Sequence, residues 1–196
     1  MQSPDVIRER FAEIQQRVGD AVTIVAATKY VALRDMATLI DAGVTVVGEN
    51  RAQDLEAKHA EYGDAFRWHF IGHLQSNKVK AVNGICELVH SLDSDSAARR
   101  LEVPALVQVN LAGEGSKSGV APAEIESYLA CDVRGLSTMP PAAATPEESR
   151  PWFARLRELA AEHGLRELSM GTTQDYPVAA EEGATYVRVG SILFAD

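Results

Sequence analysis

Ile7, Phe11, Ile14 and Val18 recur at helical spacing with charged residues between them. This predicts an amphipathic helix over about residues 4–18, ended by Gly19-Asp20. From there, short β-branched and apolar runs alternate with stretches of helical period. The runs predict strands at Val22–Thr28, Val44–Gly48, Arg67–Gly72, Ile85–His90, Pro104–Asn110, Val133–Thr138, Arg166–Met170 and Thr185–Val189. The intervening stretches predict helices at Leu33–Ala42, Arg51–Tyr62, Ser76–Val82, Ser94–Leu101, Pro122–Ala130, Glu147–Glu162 and Tyr176–Glu182. Strands that alternate with helices imply a parallel sheet. Eight βα units favour a closed (β/α)8 TIM barrel over an open doubly wound sheet. No helical pattern follows the last strand, and the N-terminal helix could cover that gap in the outer ring. There is no internal repeat and no linker, so a single domain over residues 1–196 is expected. Met139–Pro151, rich in Pro and Ala, predicts a long loop over the barrel mouth.

Composition narrows the function. Hydrophobic content of 46% and charged content of 24% are ordinary for a soluble globular chain. No apolar run approaches the roughly 20 residues of a membrane helix, and no secretory signal core is present. A cytoplasmic location, with no membrane partner, is therefore expected. Net charge of −9 argues against a nucleic-acid surface but leaves room for one small anion in a local pocket. Cys86 and Cys131 lie far apart and read as small core hydrophobes in a reducing compartment. His59, His73 and His90 lack ligand-like spacing, so no metal is expected. Neither a nucleophile elbow nor a Gly-x-x-x-x-Gly-Lys motif appears. No sticky helix is evident, and a monomer is expected.

In such barrels the site lies at the C-terminal ends of the strands. Lys29 follows the first predicted strand. It reads either as a solvated charge at a strand end or as an amine held against an apolar wall, able to form an imine with an aldehyde. Gly171, Thr172, Thr173, Gly190 and Ser191 follow the last two strands. They either make turns and caps, or present backbone N–H groups and hydroxyls to a phosphate, with a helix start near Asp175 favouring the anion. Alternation turns Arg188 away from Val187 and Val189, into the barrel. There it needs a partner: a carboxylate on a neighbouring strand, or a ligand's ring nitrogen. His69, inside the third strand, reads first as a satisfied core histidine. Ser116-Lys117-Ser118-Gly119 reads as a solvated turn, or as a loop reaching toward an anion.

A set of stretches at characteristic spacing completes the picture. They are Ala27-Thr28-Lys29, Gly48-Glu49-Asn50, Trp68-His69-Phe70-Ile71-Gly72 and Leu74-Gln75-Ser76-Asn77-Lys78. Gln108-Val109-Asn110, Ser116-Lys117-Ser118-Gly119, Leu168-Ser169-Met170-Gly171 and Val187-Arg188-Val189-Gly190 follow. In this order the chain resembles the pyridoxal-phosphate homeostasis protein family, which shares the fold of the alanine racemase N-terminal barrel. The resemblance runs from about Val22 to Phe194. It implies that Lys29 holds pyridoxal 5'-phosphate (PLP) as an internal aldimine and that Arg188 faces the pyridine nitrogen. It also implies that Ser169, Thr173, Gly190 and Ser191 hold the phosphate, with Met170 and Gly171 in the same cradle. Asn50 would lie near the ring and His69 on the strand below it. The implied role is intracellular vitamin B6 homeostasis: a carrier that buffers the cofactor for apo PLP enzymes, without robust catalysis. A low-activity amino-acid racemase is the alternative, and a cofactor-free lysine aldolase a third reading.

The chain departs from the family in places. Val31 and Ala32 stand where a second lysine and a proline are usual, and His73 stands for a proline. Thr172-Thr173-Gln174-Asp175 replaces the common Met-Ser-Asp-Asp run, with Thr173 keeping a hydroxyl.

Overall fold

The computed structural model describes residues 1–115 and 118–195. Helix α1 spans Pro4–Val18, started by Pro4 and by Ser3, whose hydroxyl accepts from the Val6 N–H. The chain then runs β1 (Thr23–Ala27), α2 (Met36–Asp41), β2 (Val46–Glu49), α3 (Ala52–Tyr62), β3 (Arg67–Phe70) and α4 (Val79–Asn83). It continues as β4 (Leu88–Leu92), α5 (Asp95–Ala98), β5 (Ala105–Gln108), β6 (Val133–Ser137), α6 (Arg150–Glu162), β7 (Glu167–Thr172), α7 (Tyr176–Glu181), β8 (Tyr186–Val189) and α8 (Ser191–Phe194). Each strand pairs in parallel with the next, and β8 pairs back to β1, with Val25 opposite Arg188. The sheet is a closed eight-stranded barrel, so the expected (β/α)8 architecture is what forms.

Three elements differ from expectation. Pro122–Tyr128 is a 3-10 helix rather than an α-helix. Strand β4 lies at Leu88–Leu92, shifted forward from Ile85–His90, because pairing with β3 sets its register through His69 opposite Leu88. His90 is therefore inside the strand and not at its end. After β8 the chain makes the one-turn α8, and α1 packs against α2, α7 and α8 to close the outer ring. Arg8 donates to the Asp41 carbonyl of α2 at 2.5 Å, and Arg10 to the Ala195 carbonyl after α8 at 2.7 Å.

Strand alternation sorts the side chains into two layers. Trp68, Phe70, Leu168, Met170, Val187 and Val189 join the apolar cluster shared with the helices. His69, Ser169 and Arg188, one step out of phase, meet in the barrel interior. Cys86 lies in the apolar cluster and Cys131 packs partly buried against it. Among the described residues no helix is long and apolar enough to cross a membrane, and no cluster of three or more His, Cys, Asp or Glu could hold a metal.

Candidate functional site

A cavity of about 590 Å³ opens at the C-terminal ends of β1, β2, β7 and β8. Lys29, Asn50, Thr173, Arg188, Gly190 and Ser191 line it. Residues far apart in sequence meet here because parallel closure brings β8 beside β1, and β2 beside both Lys29 and Ile71.

Lys29 is exposed, carried two residues beyond the end of β1. Its Nζ rests 4.7 Å from the ring centroid of Tyr30, not against a buried apolar wall. Tyr30 is itself 89% exposed, and a cation–π contact at such a site contributes about 0.5–1 kcal/mol. The backbone below Lys29 is held more firmly. Glu49, at the end of β2, and Lys58, on α3, form a fully enclosed ion pair at 2.5 Å. The same Glu49 oxygen accepts from the Thr28 hydroxyl at 2.5 Å, and Lys58 donates to the Thr28 carbonyl at 2.8 Å. The residues immediately before Lys29 and Asn50 are thus pinned to one buried charge pair. In the sequence Glu49 stands out only as the middle of the Gly48-Glu49-Asn50 stretch, and Lys58 carries no signal. A Lys and a Glu on separate elements announce themselves only when packing buries both.

Arg188 is 8% exposed. Nη1 donates to the Ser169 hydroxyl at 2.8 Å and Nη2 to the Thr138 carbonyl at 2.8 Å. No carboxylate pairs with it among the described residues, and its acceptors are neutral. Burial pulls the guanidinium down to about 10, opposed by the more distant Asp175 carboxylate, so it stays charged at neutral pH. Nη2 also contacts the Met139 sulfur at 3.0 Å, which brings the proline-rich loop onto the mouth as expected.

Thr172 lines the cavity as well, whereas Ser169, His69, Met170 and Gly171 do not. Ser169 is fully buried, and its hydroxyl bonds His90 Nδ1 at 2.7 Å as well as Arg188. His69 lies deeper, its Nδ1 2.9 Å from His90 Nε2. Burial, then the Arg67 charge, takes His69 down to about 4. Burial, then His69 and Arg188, holds His90 well below the ordinary histidine value. Met170 faces outward into the core. Gly171 has φ +87, and a Cβ there would sit 2.5 Å from the Ala179 Cβ. It lets α7 close onto β7 at the bulge where three residues of β7 oppose two of β8. The turn that leads into α7 is closed by a side chain of its own. Asp175 accepts there from the Thr172 N–H at 2.7 Å, which places a carboxylate where an anion was expected. The small-residue end of the cavity is made instead by Thr173, Gly190 and Ser191, with the Thr173 hydroxyl accepting from the Gly190 N–H at 3.3 Å. Ser116 and Lys117 fall outside the described residues, and with them the question of that loop.

Residues 3–196 match the family model described as alanine racemase, N-terminal domain. A pyridoxal phosphate homeostasis protein of Deinococcus radiodurans is 39% identical, with 96% of each chain covered. One from Aquifex aeolicus is 36% identical, over 97% of this chain and 95% of that protein. The structure of PipY from Synechococcus elongatus with PLP bound superposes with a TM-score of 0.87 at 34% identity, covering 96% of this chain and all of that one. The chain belongs to the alanine racemase N-terminal domain family and, within it, groups with the pyridoxal phosphate homeostasis proteins.

Proposed function

We propose that this protein binds PLP covalently at Lys29 and serves to hold and release it, as a carrier in intracellular vitamin B6 homeostasis. The observation that carries this reading is the placement of Lys29, Arg188 and the Thr173–Gly190–Ser191 corner around one cavity. Its volume, about 590 Å³, is within the range of small-ligand sites. The chemistry of its walls fits the cofactor. A primary amine stands at the mouth, a guanidinium at the inner wall, and small residues with hydroxyls at one end. The Asn50 Oδ1 is buried there without a partner among the described residues, a polar atom left for a ligand to satisfy.

When bound, PLP supplies an aldehyde carbon that a lysine amine can attack. Lys29 would form the carbon–nitrogen link with loss of one water. Thr173, Gly190 and Ser191 would receive the phosphate, and Arg188 would donate to the ring nitrogen and keep it unprotonated, because the guanidinium holds its own proton. A ring nitrogen without a proton is a poor electron sink, which favours holding over carbanion chemistry. A two-base racemase also needs an acid or base facing Lys29 across the ligand. Tyr30 lies beside Lys29 in the chain and beneath its amine, not opposite it.

The test is the visible spectrum of the purified protein with PLP, beside Lys29→Ala. The wild type is expected to show the band of a lysine-linked cofactor, and to yield a borohydride-fixed adduct on the Lys29 peptide. Absence of both, or persistence of the band in the variant, overturns the reading. Sustained interconversion of D- and L-alanine would replace it with the racemase.

A further inference from the structure

Four polar side chains run in a line through the barrel interior. His69 Nδ1 is 2.9 Å from His90 Nε2, His90 Nδ1 is 2.7 Å from the Ser169 hydroxyl, and that hydroxyl is 2.8 Å from Arg188 Nη1. His69, His90 and Ser169 are each at most 1% exposed, and Arg188 alone reaches the cavity. They come from β3, β4, β7 and β8, so the line crosses the barrel and ends at the wall of the site.

Proton counting gives the line a direction. The guanidinium can only donate, so the Ser169 oxygen accepts from Arg188. If Ser169 then donates to His90 Nδ1, and His90 Nε2–H donates to His69 Nδ1, each contact in the line pairs one donor with one acceptor, and the proton left over is the His69 Nε2–H at the far end, not the hydroxyl proton beside Arg188. In the reverse order Ser169 would accept twice. Its own proton, in a fully buried side chain, would then have no acceptor among the described residues. The outward order requires both histidines to be neutral and to carry their proton on Nε2. Burial, which keeps each of them below its ordinary value, agrees with that.

We infer that Ser169 and His90 are positioning residues for Arg188. With its proton turned to His90, the Ser169 oxygen keeps its lone pairs toward Nη1 and holds the guanidinium edge at one place on the cavity wall. This inference rests on the PLP reading, since it is the ring nitrogen that would sense where Arg188 points. It also gives Ser169 a role other than phosphate binding, which its burial away from the cavity favours.

The experiment uses two aldehydes. One is PLP. The other is a salicylaldehyde carrying the same phosphate arm but no ring nitrogen. Each is titrated by absorbance into wild type, Ser169→Ala, His90→Leu and Ser169→Thr, which retains the hydroxyl. PLP binding is expected to weaken about tenfold in the first two variants, the scale of one lost charge-assisted hydrogen bond. The nitrogen-free aldehyde should change by less than about twofold, and Ser169→Thr should restore PLP binding. Equal weakening of both aldehydes, or no weakening of PLP, overturns the inference while leaving the PLP reading intact. A wild type that takes up neither aldehyde overturns both. Should a variant fail to fold, imidazole nitrogen–proton spectra of the wild type decide the proton order. Bare Nδ1 on both rings is expected, and a protonated Nδ1 on His90 contradicts it.

Discussion

A Cβ on Gly72 would lie 2.0 Å from the Asn50 carbonyl oxygen and 2.6 Å from its Cα. Both are backbone atoms, and the turn after β3 lies against the residue that lines the cavity at the end of β2. Room cannot be made by a side-chain rotation; the β2 end must move. The Gly72 carbonyl is also the acceptor of the Ser91 hydroxyl at 2.5 Å, which fixes the turn from the other side. Gly72→Ala is therefore expected to lower stability by about 1–3 kcal/mol, the scale of overpacking in a close-packed interior. It should also weaken PLP uptake, because Asn50 is displaced. A urea midpoint and a spectral titration on one sample check the two effects together, and an unchanged midpoint would show that the turn has slack. His90 makes a related point about single residues. Its strand position was legible, but a shift of the strand by two or three residues decides whether it caps the strand or sits inside it. That shift is set by pairing with β3, which no local pattern contains.

Among elements, the Glu49–Lys58 pair ties α3 to the ends of β1 and β2, both of which carry cavity residues. Lys58→Met removes the cation and leaves a fully buried carboxylate whose second oxygen already has no partner among the described residues. Breaking such a pair from one side costs about 3–5 kcal/mol. Replacing both members with apolar residues should cost less, because no uncompensated charge remains and the Thr28 hydroxyl keeps the Gly48 carbonyl at 3.3 Å. Chemical denaturation of Lys58→Met beside the Glu49→Leu/Lys58→Met double variant checks this; a double variant no better than the single would contradict it. The elements themselves were largely legible. Period 3.6 against period 2 marks α1, α3 and α6 and most strands, since each buries one stripe or one face. The pair was not legible, because Glu49 and Lys58 lie on separate elements and meet only when α3 folds back over the strand ends. Nor was the way Asp175 closes the turn before α7. A Thr-Thr-Gln-Asp run suits an anion site or a self-closed turn equally, and here Asp175 closes the turn on the Thr172 N–H while Thr173 still lines the cavity.

For the molecule as a whole, the buried histidines make stability depend on pH in a definite direction. His69 drops to about 4 in the folded barrel from 6.5, and His90 also drops well below 6.5. In each case burial in the interior is the largest cause. The unfolded chain therefore binds protons on these rings at a pH where the folded chain does not, and protons are taken up on unfolding. Stability rises with pH wherever the unfolded state binds more protons. Their contribution is thus complete above about 6.5 and is lost as pH falls from there toward 4. Carboxylates whose values are lowered, such as Glu182 beside Arg150 and Arg157, begin from 4.5 and act lower on the scale. The histidine window therefore stands apart. The wild-type urea midpoint is expected to fall between pH 7 and pH 5, and the His69→Gln/His90→Gln double variant to fall less over the same interval. Equal slopes would mean that one or both rings are protonated in the fold. The Arg188–Ser169–His90–His69 order would then be lost too, since a protonated His90 cannot accept from Ser169.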